Sequence, residues 1–126
     1  MIIDVHTHIV PEHFPPRLQR VAAEDWPSME HGRTRPDTAD IMISGKNYRT
    51  VDDQCWRSAR RISDLSLQGI DRQVLSPMPR LLDYAINADD GRDLARYLNE
   101  TIAEFVQSYP ERFYGLGSVP MQDVDL

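Results

Sequence analysis

Cysteine is almost absent from this chain. Cys55 is the only one in 126 residues, so no disulfide can form within it, and that economy fits a reducing, cytoplasmic setting. Also lacking is any apolar run near the ~20 residues that a membrane span requires, so no membrane partner is expected. Basic residues are in deficit. Fourteen Lys and Arg against 20 Asp and Glu leave a net charge of −6. That balance argues against nucleic acid as a partner, since phosphate binding needs an excess of Lys and Arg on one face. It leaves room for a local cationic pocket that takes a small anion. Only Met1-Ile2-Ile3 precede Asp4, with no basic n-region and no apolar h-region, so no secretory signal is expected. Repeats and low-complexity stretches are lacking as well. What remains, 40% hydrophobic and 27% charged residues, suits one soluble globular unit.

Hydrophobic patterning divides the chain into alternating strands and helices. Ile2 to His8 reads as a first strand, with Asp4, His6 and His8 at alternate positions and therefore expected on one face. Pro11, Pro15 and Pro16 end it and open a weakly periodic insert over residues 11–53. Within the insert, Ile41 to Val51 reads as a hairpin turning at Gly45-Lys46-Asn47. Residues 53–68 fit a helix, with Trp56, Ala59, Ile62 and Leu65 on its inner face and Gly69 as its stop. Ile70 to Ser76 reads as a second strand, closed by Pro77 and Pro79, and residues 80–88 as a loop. A second helix spans about 89–108, with Leu94, Leu98, Ile102 and Phe105 as its stripe and Asp89 and Asp90 at the positive end of its dipole. Pro110 ends it, and Phe113 to Val119 reads as a third strand. Strands alternating with helices predict an α/β fold with parallel pairing and βαβ crossovers.

His6 and His8 are the sharpest chemical feature. Two imidazoles on one face at the carboxyl end of a strand can reach one cation, each with a metal–nitrogen bond of about 2 Å. Ends of parallel strands are also where barrel enzymes keep their sites. Two ligands do not complete a catalytic zinc site, which takes three from the protein plus water. His13 and His31 lie in the insert and read as ordinary surface histidines, and Cys55 as a small packing residue. Asp4 reads as a hydrogen-bonded structural acid rather than a group orienting an imidazole. Lys46 and Arg49 sit on the hairpin, where a guanidinium could pair bidentately with a carboxylate; without further context they read as solvated charges. Arg57, Arg60 and Arg61 read as a solvated basic face, and Trp56 as a packing residue.

Ile3-Asp4-Val5-His6-Thr7-His8-Ile9-Val10-Pro11 resembles the opening of the amidohydrolase superfamily. Gly45-Lys46-Asn47-Tyr48-Arg49 with Cys55-Trp56 is similar to the insert of its 2-amino-3-carboxymuconate-6-semialdehyde decarboxylase family. The same family is resembled by Arg61-Ile62, by Gln68-Gly69-Ile70-Asp71 with Gln73-Val74-Leu75-Ser76, and by Tyr109-Pro110-Glu111-Arg112-Phe113. Gly115-Leu116-Gly117 and Val119-Pro120-Met121-Gln122 extend the likeness. The resemblance implies a distorted (β/α)8 TIM barrel with one catalytic Zn2+, or another divalent metal, and nonoxidative decarboxylation of an unsaturated acid. It implies His6 and His8 as the first two metal ligands. It matches Arg49 to an arginine that holds a substrate carboxylate, and Lys46 to a neighbouring polar position. Such a metal would lower the pKa of the water it binds. Family analogy adds a homodimer.

A complete barrel takes roughly 250 residues. Residues 1–126 are therefore expected to form a single unit, the first three strands of such a barrel in the order β–(hairpin insert)–α–β–α–β. The general base and the remaining ligands would come from later strands. A metal-dependent hydrolase of the same superfamily, such as a lactonase, and a non-catalytic fragment or interaction module remain alternatives. The Lys46–Arg49 pair suits a carboxylated substrate and so favours the decarboxylase.

Overall fold

The computed structural model describes residues 1–15 and 26–125. Pro16 and residues 17–25 of the insert lie outside the described residues. In chain order the elements are β1 (Ile3–Ile9), β2 (Ser28–His31), β3 (Thr38–Ile43), β4 (Lys46–Asp52), α1 (Ser58–Gln68), β5 (Arg72–Pro77), α2 (Ala88–Ser108) and β6 (Phe113–Gly115). Two three-stranded sheets result. One runs in the order β1-β5-β6, with both pairings parallel. The other runs β2-β3-β4, with both pairings antiparallel. The described part of the insert thus carries three strands where the sequence predicts the hairpin alone.

The hairpin turns one residue earlier than its sequence suggests. Ser44 and Gly45 form the turn, with φ of 52° and 70°, and Lys46 already pairs with Ile43. Positive φ at both central residues is the two-residue hairpin turn whose twist matches its strands. β4 also bulges. Asn47 pairs with Met42 and Arg49 with Ile41, so Tyr48 is an extra residue.

The two helices are also shifted from expectation. α1 begins at Ser58, so Trp56 lies outside it, after a short helical turn at Asp53–Cys55. Ala59 faces outward, while Arg61 is buried at 6% exposure, against the expectation of a solvated basic face. Gly69 ends α1 at φ 70°, with Gly69 N–H donating to Ser66 O and Ile70 N–H to Leu65 O. Those two bonds form a Schellman cap, and Ile70 packs into the same cluster as Leu65. Asn87 caps α2 by accepting the Asp90 N–H at 3.0 Å.

α2 unites the core. Its Leu94 and Leu98 join Val10, Trp26, Ile41, Ile43, Met78 and Leu81 beneath the antiparallel sheet. One turn further on, Ile102 and Phe105 pack with Ile9, Leu65, Leu75 and Phe113 against the parallel sheet. All four residues of the stripe read from the sequence are buried. The helix is thereby the beam across which the two sheets hold a common orientation. No described helix is long and apolar enough to cross a membrane.

Candidate functional site

β1 delivers the two histidines, and its local geometry departs from simple alternation. Asp4 pairs with Gln73 but Thr7 with Leu75, so β1 spends three steps where β5 spends two. That bulge turns over the pleat. Neighbours in a parallel register share a face, so Asp4 stays on the side of Gln73 and Leu75, under α1. His8 sits beside Ser76 on the opposite side. The expected common face of Asp4, His6 and His8 therefore does not form: the extra residue moves Asp4 to the other side. Asp4 is a structural acid. Its Oδ2 accepts from Gln73 Nε2 at 2.9 Å, and its Oδ1 from the His6 backbone N–H at 3.2 Å.

His6 and His8 do come together. Their rings meet edge to face with centroids 5.3 Å apart. Two imidazoles on one tetrahedral cation, with metal–nitrogen bonds of ~2 Å, hold their centroids about 5 Å apart, so the pair fits a shared divalent metal. Ser76 fixes the tautomer of His8. Its hydroxyl donates to Thr7 O at 2.9 Å, and so meets His8 Nδ1, 3.0 Å away, as an acceptor. Nδ1 then carries the proton and Nε2 the lone pair. Burial, then the charges of His6, Arg49 and Arg61, hold the His8 pKa below 6.5, against a raising contact with the Pro77 carbonyl. A neutral imidazole is the form that binds a metal. Among the described residues no third histidine, cysteine or acid joins the pair as a ligand group.

Arg49 and Lys46 owe their placement to the β4 bulge. Residues three apart on a regular strand face opposite ways. With Tyr48 extra, Lys46 aligns with Ile43 and Arg49 with Ile41, so both basic residues share the face of those two core residues. Asn47 and Thr50, which contact each other at 3.4 Å, take the other face with Asp40, to which Thr50 donates at 2.5 Å. Arg49 stands close enough to His8 to depress its basicity, and its guanidinium lies 5.7 Å from the Tyr48 ring centre. Among the described residues neither Lys46 nor Arg49 forms an ion pair with an acid. Lys46 is also the only lysine in the chain.

The remaining candidates separate cleanly. Cys55 is half-buried against the core, and burial pushes its thiol pKa up, so it behaves as packing rather than as a ligand or nucleophile. His13 and His31, distant in sequence, have ring centroids 5.1 Å apart, and His31 also stacks edge-on against Trp56 at 5.2 Å. His31 Nε2 bonds to Glu12 O at 2.6 Å. That pairing depends on β2, which the sequence did not reveal. Arg61 was also missed. Among the described residues it is the one guanidinium driven into the protein beneath the histidine strand, and nothing in its polarity distinguishes it from Arg57 and Arg60.

No family model matches the chain. Curated relatives do. The 2-amino-3-carboxymuconate-6-semialdehyde decarboxylase of Dictyostelium discoideum is 42% identical over 120 residues, 95% of this chain and 33% of the relative. The enzyme of the same name from Caenorhabditis elegans is 29% identical over 122 residues, 97% of this chain and 30% of the relative. The chain thus spans about a third of the length of the curated relatives it matches. The solved apo structure of Metarhizium anisopliae IDCase superposes with a TM-score of 0.70 over 98% of this chain and 36% of its own, at 15% identity, a likeness of fold. The family resemblance read from the sequence therefore stands: over nearly its whole length the chain is similar to about one third of the length of 2-amino-3-carboxymuconate-6-semialdehyde decarboxylases.

Proposed function

We propose that this chain supplies half of a metal shell and a carboxylate-binding pair to a metal-dependent, nonoxidative decarboxylase. Its substrate would be an unsaturated or aromatic carboxylic acid of the 2-amino-3-carboxymuconate-6-semialdehyde type. In this reading residues 1–126 are the first three strands of a (β/α)8 barrel, β1, β5 and β6, with an insert at 11–53. The carrying observation is the edge-to-face pair His6–His8, 5.3 Å between centroids, with the charge of Arg49 reaching it.

His6 and His8 would hold the metal, taken here as zinc, with Ser76 keeping the His8 lone pair outward. Bound there, a divalent ion supplies Lewis acidity. Arg49 and Lys46 would receive substrate carboxylates. A planar guanidinium fixes the orientation of a carboxylate through two parallel hydrogen bonds, and an ammonium adds a point charge beside it. Freedom from acidic partners among the described residues keeps both cations available. In a protein of net charge −6 such a pair also concentrates anion affinity in one place. The lone, reduced Cys55 suits a cytoplasmic enzyme, and a homodimer follows by analogy with the family.

Metal content and carbon dioxide release by the intact protein test this reading. His6→Ala with His8→Ala should abolish both. Retention of metal and turnover in that variant would sink the proposal. Turnover of neutral lactones without carbon dioxide release would make the protein a hydrolase of the same superfamily instead.

A further inference from the structure

Arg61 is buried at 6% exposure without an acid in direct contact. Its three donor directions all end on neutral oxygens. Nε donates to Gln54 O, Nη1 to Gln73 Oε1 and Nη2 to His8 O, each at 2.9 Å. Taking a cation out of water is costly, and a well-packed apolar residue often stabilises such a position as well or better. Stability alone is therefore a poor reason for an arginine here. The geometry supplies another.

Two arms run from Arg61 to the histidine strand. One is direct, through Nη2 to the carbonyl of His8. The other passes through Gln73, itself buried at 6% exposure. Because Gln73 Oε1 accepts from Arg61, its amide can face only one way, and Nε2 donates to Asp4 Oδ2 at 2.9 Å. The other oxygen of Asp4 takes the backbone N–H of His6 at 3.2 Å. That N–H belongs to the bulge, where an extra residue disrupts the ladder. The two arms thus close on either side of Thr7, on the amide of His6 and the carbonyl of His8. The bulge is what sets the two imidazoles on the face away from α1. The cation and the Asp4 carboxylate balance one another through Gln73 without touching.

We infer that Arg61 is a positioning residue for the metal: through His8 O, and through Gln73 and Asp4 to His6, it locks the bulged strand in the one shape that aims both imidazoles at a common point. This rests on the reading that His6 and His8 bind a metal. Ser76 acts on the ring of His8, whereas Arg61 acts on the backbone that carries both rings. Lysine cannot replace it, because a compact ammonium cannot span three acceptors lying along the edges of a planar fork.

The test uses the intact protein with cobalt(II) as the probe, reading the affinity by chelator competition, the visible spectrum and the melting temperature. Arg61→Lys should fold, lose roughly 10- to 100-fold in cobalt affinity, as loss of an outer-sphere partner does, and change the visible bands. Gln73→Met, which leaves Arg61 its bonds to Gln54 and His8 but severs the His6 arm, should lose affinity in the same direction by a smaller factor. A lowered melting temperature with wild-type affinity and bands in both variants would overturn the inference, since a merely structural arginine predicts that. If Arg61→Lys does not fold, Gln73→Met decides: wild-type affinity and bands there overturn it. His6→Ala with His8→Ala separates the two levels. Cobalt retained at wild-type affinity in that variant removes the metal reading, and this inference with it. Cobalt lost there but held normally by Arg61→Lys and Gln73→Met removes this inference alone.

Discussion

His8 carries two signals that depend on each other: a fixed tautomer and a depressed pKa. Its folded pKa lies below the ordinary 6.5, chiefly through burial and then through His6. Between those two values the unfolded chain binds more protons than the folded one, so stability rises with pH. The contribution is fully present above about 6.5 and is lost as pH falls through the folded value. In metal-free buffer, the wild-type melting temperature should therefore fall more steeply from about pH 7 to about pH 5 than that of His8→Gln. Parallel pH profiles for the two proteins would contradict this. Arg49 makes a different kind of claim. Arg49→Met should leave metal content unchanged and raise KM for the carboxylated substrate. The loss in kcat/KM should be roughly 10- to 100-fold, the worth of about 1.5–3 kcal/mol for hydrogen bonds to a charged group. An unchanged KM would remove Arg49 from the substrate site.

Elements were legible in the sequence wherever one periodicity governed them. Leu94, Leu98, Ile102 and Phe105 announced α2 because a 3.6-residue stripe survives small errors in its ends. Gly69 announced the end of α1, and its φ of 70° gives the reason. A Cβ at Gly69 would meet nothing within 4 Å, so Gly69→Ala isolates the backbone term. It should cost about 1 kcal/mol, read as a lower urea midpoint with an unchanged m-value; an unchanged midpoint would contradict it. Bulges were not legible. The extra residue near Val5-His6 and the one at Tyr48 leave no mark on a polar–apolar pattern, yet each reverses which residues share a face. Asp4 was consequently expected beside the histidines and lies across the sheet from them. Lys46 and Arg49, three apart, would face opposite ways on a regular strand and share a face because of the bulge. Arg61 escaped notice for a similar reason, since its burial depends on the tertiary acceptors Gln54, Gln73 and His8 rather than on its neighbours in sequence.

At the scale of the whole molecule, the two sheets meet over α2, and the histidine strand lies at one edge of the parallel sheet. Ile3 and Val5 on that edge strand are 43% and 71% exposed, and curated relatives are about three times as long as this chain. The described residues bring two imidazoles together, with the charge of Arg49 reaching His8. A catalytic metal takes more protein ligands than two, so His6 and His8 are expected to be indispensable rather than sufficient. The direct measurement is cobalt or zinc stoichiometry and affinity in the intact protein, wild type beside His6→Ala with His8→Ala at equal melting temperature. The wild type should bind one metal per chain and the variant should retain none. A variant that keeps its metal at wild-type affinity would contradict it.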